Sequence, residues 1–468
     1  MKNVFAVFVG AILLGTACSK SDNNPNPGGG GGTDTSKNVA VRGTISADQH
    51  WTKDKTYRLR GYVYVTNNAT ITIDAGTKIV SNKDSAGVLV IYRTAKIQAV
   101  GTAAEPIVFT SNETAPKAGD LGGIILVGQA RGNTNHSVIE GGVDAAFSVF
   151  GGTNDADNSG TMKYVRIEYA GKAVNPGDEV NGLSLYGVGS ATTLDYIQVV
   201  RGLDDAFEFF GGTVNAKHLI AYNCADDDFD MDDGYRGNIQ FAISVKDPAF
   251  TDAKGITGDW SNNFEVDNVN TSNGLVYGKT PITFPILSNF TAIGPNKAGD
   301  GGATVSSDFG YGMRWRRGSK FILANSIVMG GQRGGLLLES DSTALYYKQG
   351  QSKFYNSFLH SLATGNPFAV PTSSLTITPF ILDSLGAATI TTTTNGSLYY
   401  TNFADIKLTD PFNNASPNLK PATGSPALTT AAKFDLPSLS GAFFDKVTYI
   451  GALDASNDWT AQWAVWNK

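Results

Sequence analysis

Between Arg201 and Gly237 apolar and polar residues alternate, and they do so twice in the same phase. Moving 22 positions along the chain carries Asp204 onto Asp226, Asp205 onto Asp227, Phe207 onto Phe229, Glu208 onto Asp230 and Gly212 onto Gly234. Read as strands, with successive side chains on opposite faces, Asp226, Asp228, Asp230 and Asp232 fall on one side. Asp227, Phe229, Met231 and Asp233 fall on the other. The apolar column belongs to a core and the carboxylate column to an outer face. A fixed period with repeated aromatic and glycine positions predicts one structural coil laid on the next.

The pattern spreads in both directions. Short β-rich runs such as Tyr62–Val65, Thr70–Ile73, Gly87–Ile91, Ile107–Thr110 and Ile124–Val127 are separated by turn residues, and no helix-period stretch competes with them. Moving back 60 positions from Asp204 aligns 144–153 with 204–213 and sets Phe147 in the column of Phe207. Moving back 24 sets Leu183 and Leu185 over Phe207 and Phe209. A second apolar column runs Val165, Ile197, Leu219, Phe241, with Ile167, Val199, Ala221, Ile243 two places on. Two ladders per coil with glycine at the corners predict an all-β fold. Its form is a right-handed single-stranded parallel β-helix over residues 39–468, with Phe147, Leu183, Phe207 and Phe229 stacked inside. A propeller would repeat at about 40–50 residues. The pattern loosens over 247–318, which holds a glycine-rich loop at 294–302 and a basic turn of Arg314, Trp315, Arg316 and Arg317. Rungs resume at Phe321–Met329, Leu336–Leu338 and Phe354–Leu359, while the Thr- and Ser-rich 363–404 reads as an insertion or a frayed coil. The tail, with Trp459, Trp463 and Trp466, reads as an aromatic C-terminal cap over an exposed coil edge.

Composition sharpens this. The 54 glycines in 468 residues exceed the average of about 7%, and 17% charged residues fall below the usual figure of about 25%. A net charge of −6 without a basic stripe argues against a nucleic-acid binder. Residues 1–18 carry Lys2, an apolar run Val4–Leu14 too short to span a bilayer, and small residues ending at Cys18. They are similar to a bacterial lipoprotein signal with Cys18 as the lipidated residue. Residues 19–38 hold almost no apolar side chains before Val39 and predict a flexible tether. With Cys18 lipidated, Cys224 is left without a disulfide partner and reads as a small buried filler. These features predict an outer-membrane or cell-surface protein that meets the membrane through its N-terminal lipid.

Gly61-Tyr62-Val63-Tyr64-Val65, Ala75-Gly76-Thr77, the segment Gly119–Leu126, Phe-Phe-Gly-Gly-Thr at 209–213 and the segment Asp232–Gly237 carry a resemblance over nearly the whole chain. They resemble a family of Bacteroidota-type surface lipoproteins with a right-handed β-helix, and more distantly pectate-lyase-like carbohydrate enzymes. No motif carries those enzymes' catalytic residues across.

Chemistry concentrates in the acidic repeat. With coils about 4.8 Å apart, Asp204 sits over Asp226 and Glu208 over Asp230, a ladder that repels itself unless protons, basic side chains or a cation neutralise it. Calcium takes six to eight oxygen ligands, and Asp204, Glu208, Asp226, Asp228, Asp230 and Asp232 are the candidate donors. The competing reading is a solvated face neutralised by Arg201, Lys217 and Arg236, which are also the candidate ligand contacts. The spacing is not that of an EF-hand, since Asp233 and Ile239 stand where glycine and glutamate belong. Gly274 to Thr280 lacks one residue of a phosphate loop, and no nucleophile elbow occurs. His50, His136, His218 and His360 show no zinc spacing and read as surface or packed histidines. The function expected is a rigid binding module for polysaccharide or surface-protein partners with a calcium-stabilised acidic face. The alternative is a polysaccharide lyase or hydrolase using the same groove, its catalytic residues unknown.

Overall fold

The computed structural model describes residues 37–175, 178–252, 259–295, 305–362, 368–369 and 395–468. Cys18, the leader and the tether up to Ser36 lie outside these residues, as do most of the 294–302 loop and of the 363–404 stretch. Among the described residues, 26 strands join in one continuous parallel sheet that winds into a right-handed β-helix. Each central coil gives one short strand and one long one. The short strands Val88–Tyr92, Gly123–Val127, Leu183–Tyr186, Phe207–Phe210, Phe229–Asp232, Phe264–Val266 and Tyr311–Trp315 stack in that order. The long strands Gly160–Glu168, Thr193–Val200, Asn215–Tyr222, Asn238–Val245 and Ile286–Ile293 stack likewise.

Each long strand turns a corner at one residue with left-handed backbone: Tyr164, Tyr196, His218, Phe241 and Asn289, with φ of 51°, 55°, 52°, 61° and 59°. That conformation is unfavourable for side chains other than glycine, and ring stacking along the column offsets it. Tyr164 lies on Tyr196 at 4.4 Å between centroids, Tyr196 on His218 at 4.1 Å, and His218 on Phe241 at 5.1 Å.

The 22-residue offset is the true register of the short strands. Phe207 pairs with Phe229, Glu208 with Asp230 and Phe209 with Met231. Leu183 lies before Phe207 and Phe264 after Phe229, and the ring pairs Phe207–Phe229 and Phe229–Phe264 stack at 5.4 and 5.6 Å in the sealed core.

Three expectations are corrected. Phe147 is not in this stack, where Ile124 precedes Leu183. The connection 128–159 runs outside the coil, and Phe147 ends a 3-10 turn capped by Asp144 and stacks at 4.4 Å on Tyr64. The likeness of 144–153 to 204–213 is therefore one of turn chemistry. Phe241 likewise leaves the inner column, because Ala242 pairs with Leu219 and Ser244 with Ala221. The basic turn expected at Arg314–Arg317 starts later: Tyr311–Trp315 is a strand with Trp315 sealed inside, and the turn follows it. The aromatic tail runs back along the flank as a strap, over the left-handed corner column. Trp463 and Trp459 meet Tyr196 edge-on at 5.9 and 6.2 Å. Arg166 donates to the Trp463 carbonyl at 2.9 Å, and the Val465 N–H donates to Gln198 at 2.9 Å.

Candidate functional site

The outward positions of the short strands change character along the stack. Tyr64, Val88, Val90, Ile125, Val127, Tyr186 and Phe210 form an apolar patch covered by Ile139, Val143, Phe147 and Phe150 of the 128–159 connection. Next come carboxylates: Glu208, Asp230 and Glu265 stand in register, and Arg314 follows them. Arg314 bonds Glu265 at 3.0 Å and Glu339 at 2.6 Å, while Arg316 and Arg317 each reach Asp267 at 2.7 Å. The Glu265 end of the ladder is thus neutralised by arginine.

At the other end the turns entering these strands bring in two further carboxylates. The Asp227 N–H donates to Asp205 Oδ1 at 2.8 Å, the Asn262 N–H donates to Asp227 Oδ1, and the Tyr311 N–H donates to Asn262 Oδ1 at 2.8 Å. Each of these side chains therefore ties its coil to the next and still holds a second oxygen or amide toward the outer face. The result is three overlapping triads, Asp204–Asp205–Asp226, Asp205–Glu208–Asp230 and Asp227–Asp230–Glu265, each offering ligand oxygens within 4.8 Å of one another.

Electrostatics follow from the crowding. Burial, then the charges of Asp226 and Asp204, push the Asp205 carboxyl well above the usual range. Burial does the same to Glu208, reinforced by Asp230 and Glu140, and to Asp230, reinforced by Glu265 and Asp227. Asn181 donates to Glu208, whereas Asp230 Oδ1 is buried with no hydrogen-bond partner among the described residues. Oxygen donors at this density, one of them orphaned, fit a hard divalent cation such as calcium.

The six expected donors divide. Asp204, Glu208, Asp226 and Asp230 meet in the triads, joined by Asp205, Asp227 and Glu265. Asp232 stands apart with His136 and Asp233. Asp228 is not on the outer face. It is fully buried at a corner, where Lys246 Nζ lies 3.1 Å from its Oδ1 and Ser244 donates to Oδ2. The corner precedes the strand, so strand alternation does not govern it. Nor do the expected basic contacts surround the triads. Arg201 pairs with Asp247 at 2.8 Å, Lys217 with Asp445 of the tail at 2.8 Å, and Arg236 with Asp155 of the 128–159 connection at 3.3 Å. Lys217 belongs to the long-strand stack, away from the short strands that carry the ladder. Beyond Arg314 the register passes to the apolar Leu337, while Trp260 lies at the side, with the Arg314 and Arg333 guanidiniums over its ring at 5.3 and 4.6 Å and Tyr311 edge-on at 5.8 Å.

Comparison with known proteins adds the lineage of the scaffold. A family model described as a pectate-lyase like beta helix domain matches residues 43–397. A crystal structure of a pectate lyase aligns with 89% of this chain and 87% of its own, at 12% identity and a TM-score of 0.34. No curated protein matches the sequence.

Proposed function

The chain belongs to the pectate-lyase-like β-helix domain family, and from that premise we propose that it is a calcium-dependent glycan-binding module. The observation that carries the reading is the set of three overlapping carboxylate triads contributed by adjacent coils. Ligands on opposite sides of a calcium ion, each about 2.4 Å from it, are about 4.8 Å apart, and the oxygens of each triad lie within 4.8 Å of one another. Asp205, Glu208 and Asp230 would hold the ion, with Asp227 and Glu265 beside them. The bound cation would supply positive charge to an otherwise self-repelling surface and a place for saccharide oxygens. Trp260 and Tyr311, each partly exposed beside Arg314, would add aromatic edges and guanidinium donors for a saccharide.

A second reading has its own support. Carboxyls whose affinity for a proton is raised by burial and by neighbouring carboxylates, as at Glu208 and Asp230, are the kind a glycoside hydrolase uses as general acid. One experiment separates the two: purified protein is offered a polysaccharide panel with and without calcium, scoring retention together with release of reducing or unsaturated ends. Retention that needs calcium, without release, is the expected outcome. Release abolished by Glu208→Gln would establish the enzyme instead. The proposal includes a cell-surface or outer-membrane setting, anchored through a lipid on Cys18. Cys18→Ala is expected to move the protein out of the membrane fraction, and unchanged fractionation would refute the anchor.

A further inference from the structure

Where the strand Phe229–Asp232 ends, the acidic face meets the 128–159 connection. His136 reaches down from that connection with its ring edge-on to Phe210, centroids 5.3 Å apart. Both ring nitrogens face carboxylates: Nε2 lies 3.2 Å from Glu140 Oε1, and Nδ1 lies 3.0 Å from Asp233 Oδ1. Asp233 is fully buried, and its second oxygen, Oδ2, has no hydrogen-bond partner among the described residues. Asp232 lies alongside, its Oδ1 accepting from the Asp233 N–H and its Oδ2 from Asn135 Nδ2 at 3.0 Å. Donor atoms of His136, Asp232 and Asp233 all lie within 4.8 Å of one another.

We propose that His136, Asp232 and Asp233 form a binding site for a divalent transition-metal ion of the zinc or manganese class, separate from the carboxylate triads. Three features support it. A metal-bound imidazole characteristically donates its other N–H to a carboxylate, which fixes the tautomer, and Glu140 stands at Nε2 in that role. The Nδ1 lone pair is then directed toward Asp233 and Asp232. The donor set is mixed: the imidazole nitrogen suits zinc and the two carboxylates suit manganese, whereas calcium prefers oxygen alone. The orphaned Asp233 oxygen supplies the third feature, since a buried carboxylate oxygen left unbonded is costly and a cation would satisfy it. The consequence is mechanical. An ion here joins the 128–159 connection to the coil, beside the bonds from Asn133 Nδ2 to the Asn268 carbonyl at 2.7 Å and from the Asn270 N–H to Asn135 Oδ1 at 2.8 Å. The connection then stands as a fixed wall at the edge of the Glu208–Asp230 cluster.

The test uses the full chain stripped with chelator, titrated separately with zinc chloride and manganese(II) chloride by calorimetry. One equivalent is expected to bind, with affinity lost in His136→Gln. In Glu140→Gln, a positioning change, affinity should fall by roughly ten- to a hundredfold. Glu208→Gln combined with Asp230→Asn should leave it unchanged, so that failure of the calcium reading and failure of this one remain distinct. Because a variant can misfold, the manganese(II)-loaded unaltered chain is also read by pulsed electron paramagnetic resonance, where nitrogen coupling from one imidazole is expected. No uptake of either metal would overturn the proposal, leaving the ring with its proton alone. So would uptake unaffected by His136→Gln, or a manganese signal without nitrogen coupling.

Discussion

Single residues show how closely charge and burial are balanced in this coil. Burial alone would lower the Lys246 amine, but the charges of Asp228 and Asp227 overcome it and hold the amine above its ordinary range. Lys246 and Asp228 are both buried, so removing one partner strands the other. Lys246→Met is expected to cost about 3–5 kcal/mol of unfolding free energy in denaturant titration, and pairing it with Asp228→Asn should recover much of the loss. His360 is the opposite case, a ring with no ionic partner among the described residues. Burial lowers it to about 4, and its Nδ1 accepts from the Gly330 N–H at 3.3 Å. The folded value lies below the unfolded value of 6.5, so the neutral ring's contribution is complete above 6.5 and is lost as pH falls toward 4. At about 1.4 kcal/mol per pH unit, the unaltered protein should lose up to about 3 kcal/mol over that interval relative to His360→Gln. Equal pH profiles for the two would contradict this.

At the scale of elements, the short strands were legible because like residues stack on like. The offset of 22 is visible in Phe207 and Phe229, and these rings do stack. What the pattern hid lies in turns and corners. Asp205 and Asp227 share the phase of the inward residues, yet they sit in turns where each accepts an N–H from the next coil. Phe241 is displaced because its coil holds one extra residue between the short and long strands: Phe210 pairs with Asp232, an offset of 22, whereas Ala216 pairs with Ile239, an offset of 23. His136 escaped because its partner Asp233 is 97 residues away in sequence, and only the path of the 128–159 connection brings them together. The two phenylalanines that looked equivalent in sequence provide a test. Phe207→Ala empties a sealed stack and should cost about 3–5 kcal/mol. Phe147→Ala trims a half-buried ring on the outside and should cost clearly less; equal costs would refute the register.

For the whole molecule, the parallel coil and its extent follow from repetition, and the family match over 43–397 agrees with them. The tail was legible as an aromatic cover but not in its path, because its partners are single outward residues scattered along the coils: Gln198, Gln240, Asn289 and Asn325. Tail and 128–159 connection clothe two faces of the coil, and the carboxylate triads lie beside the second. The account therefore turns on whether those triads hold calcium. The most direct measurement is the thermal unfolding midpoint of the chelator-treated chain against calcium concentration, for the unaltered protein and for Glu208→Gln with Asp230→Asn. An ion bound only by the folded state adds about 2.7 kcal/mol at a hundred times its dissociation constant. The midpoint of the unaltered chain should therefore climb with calcium. The double variant, freed of part of its self-repulsion, should start no lower and stay flat. A midpoint indifferent to millimolar calcium, or one that rises equally in both proteins, would contradict the account.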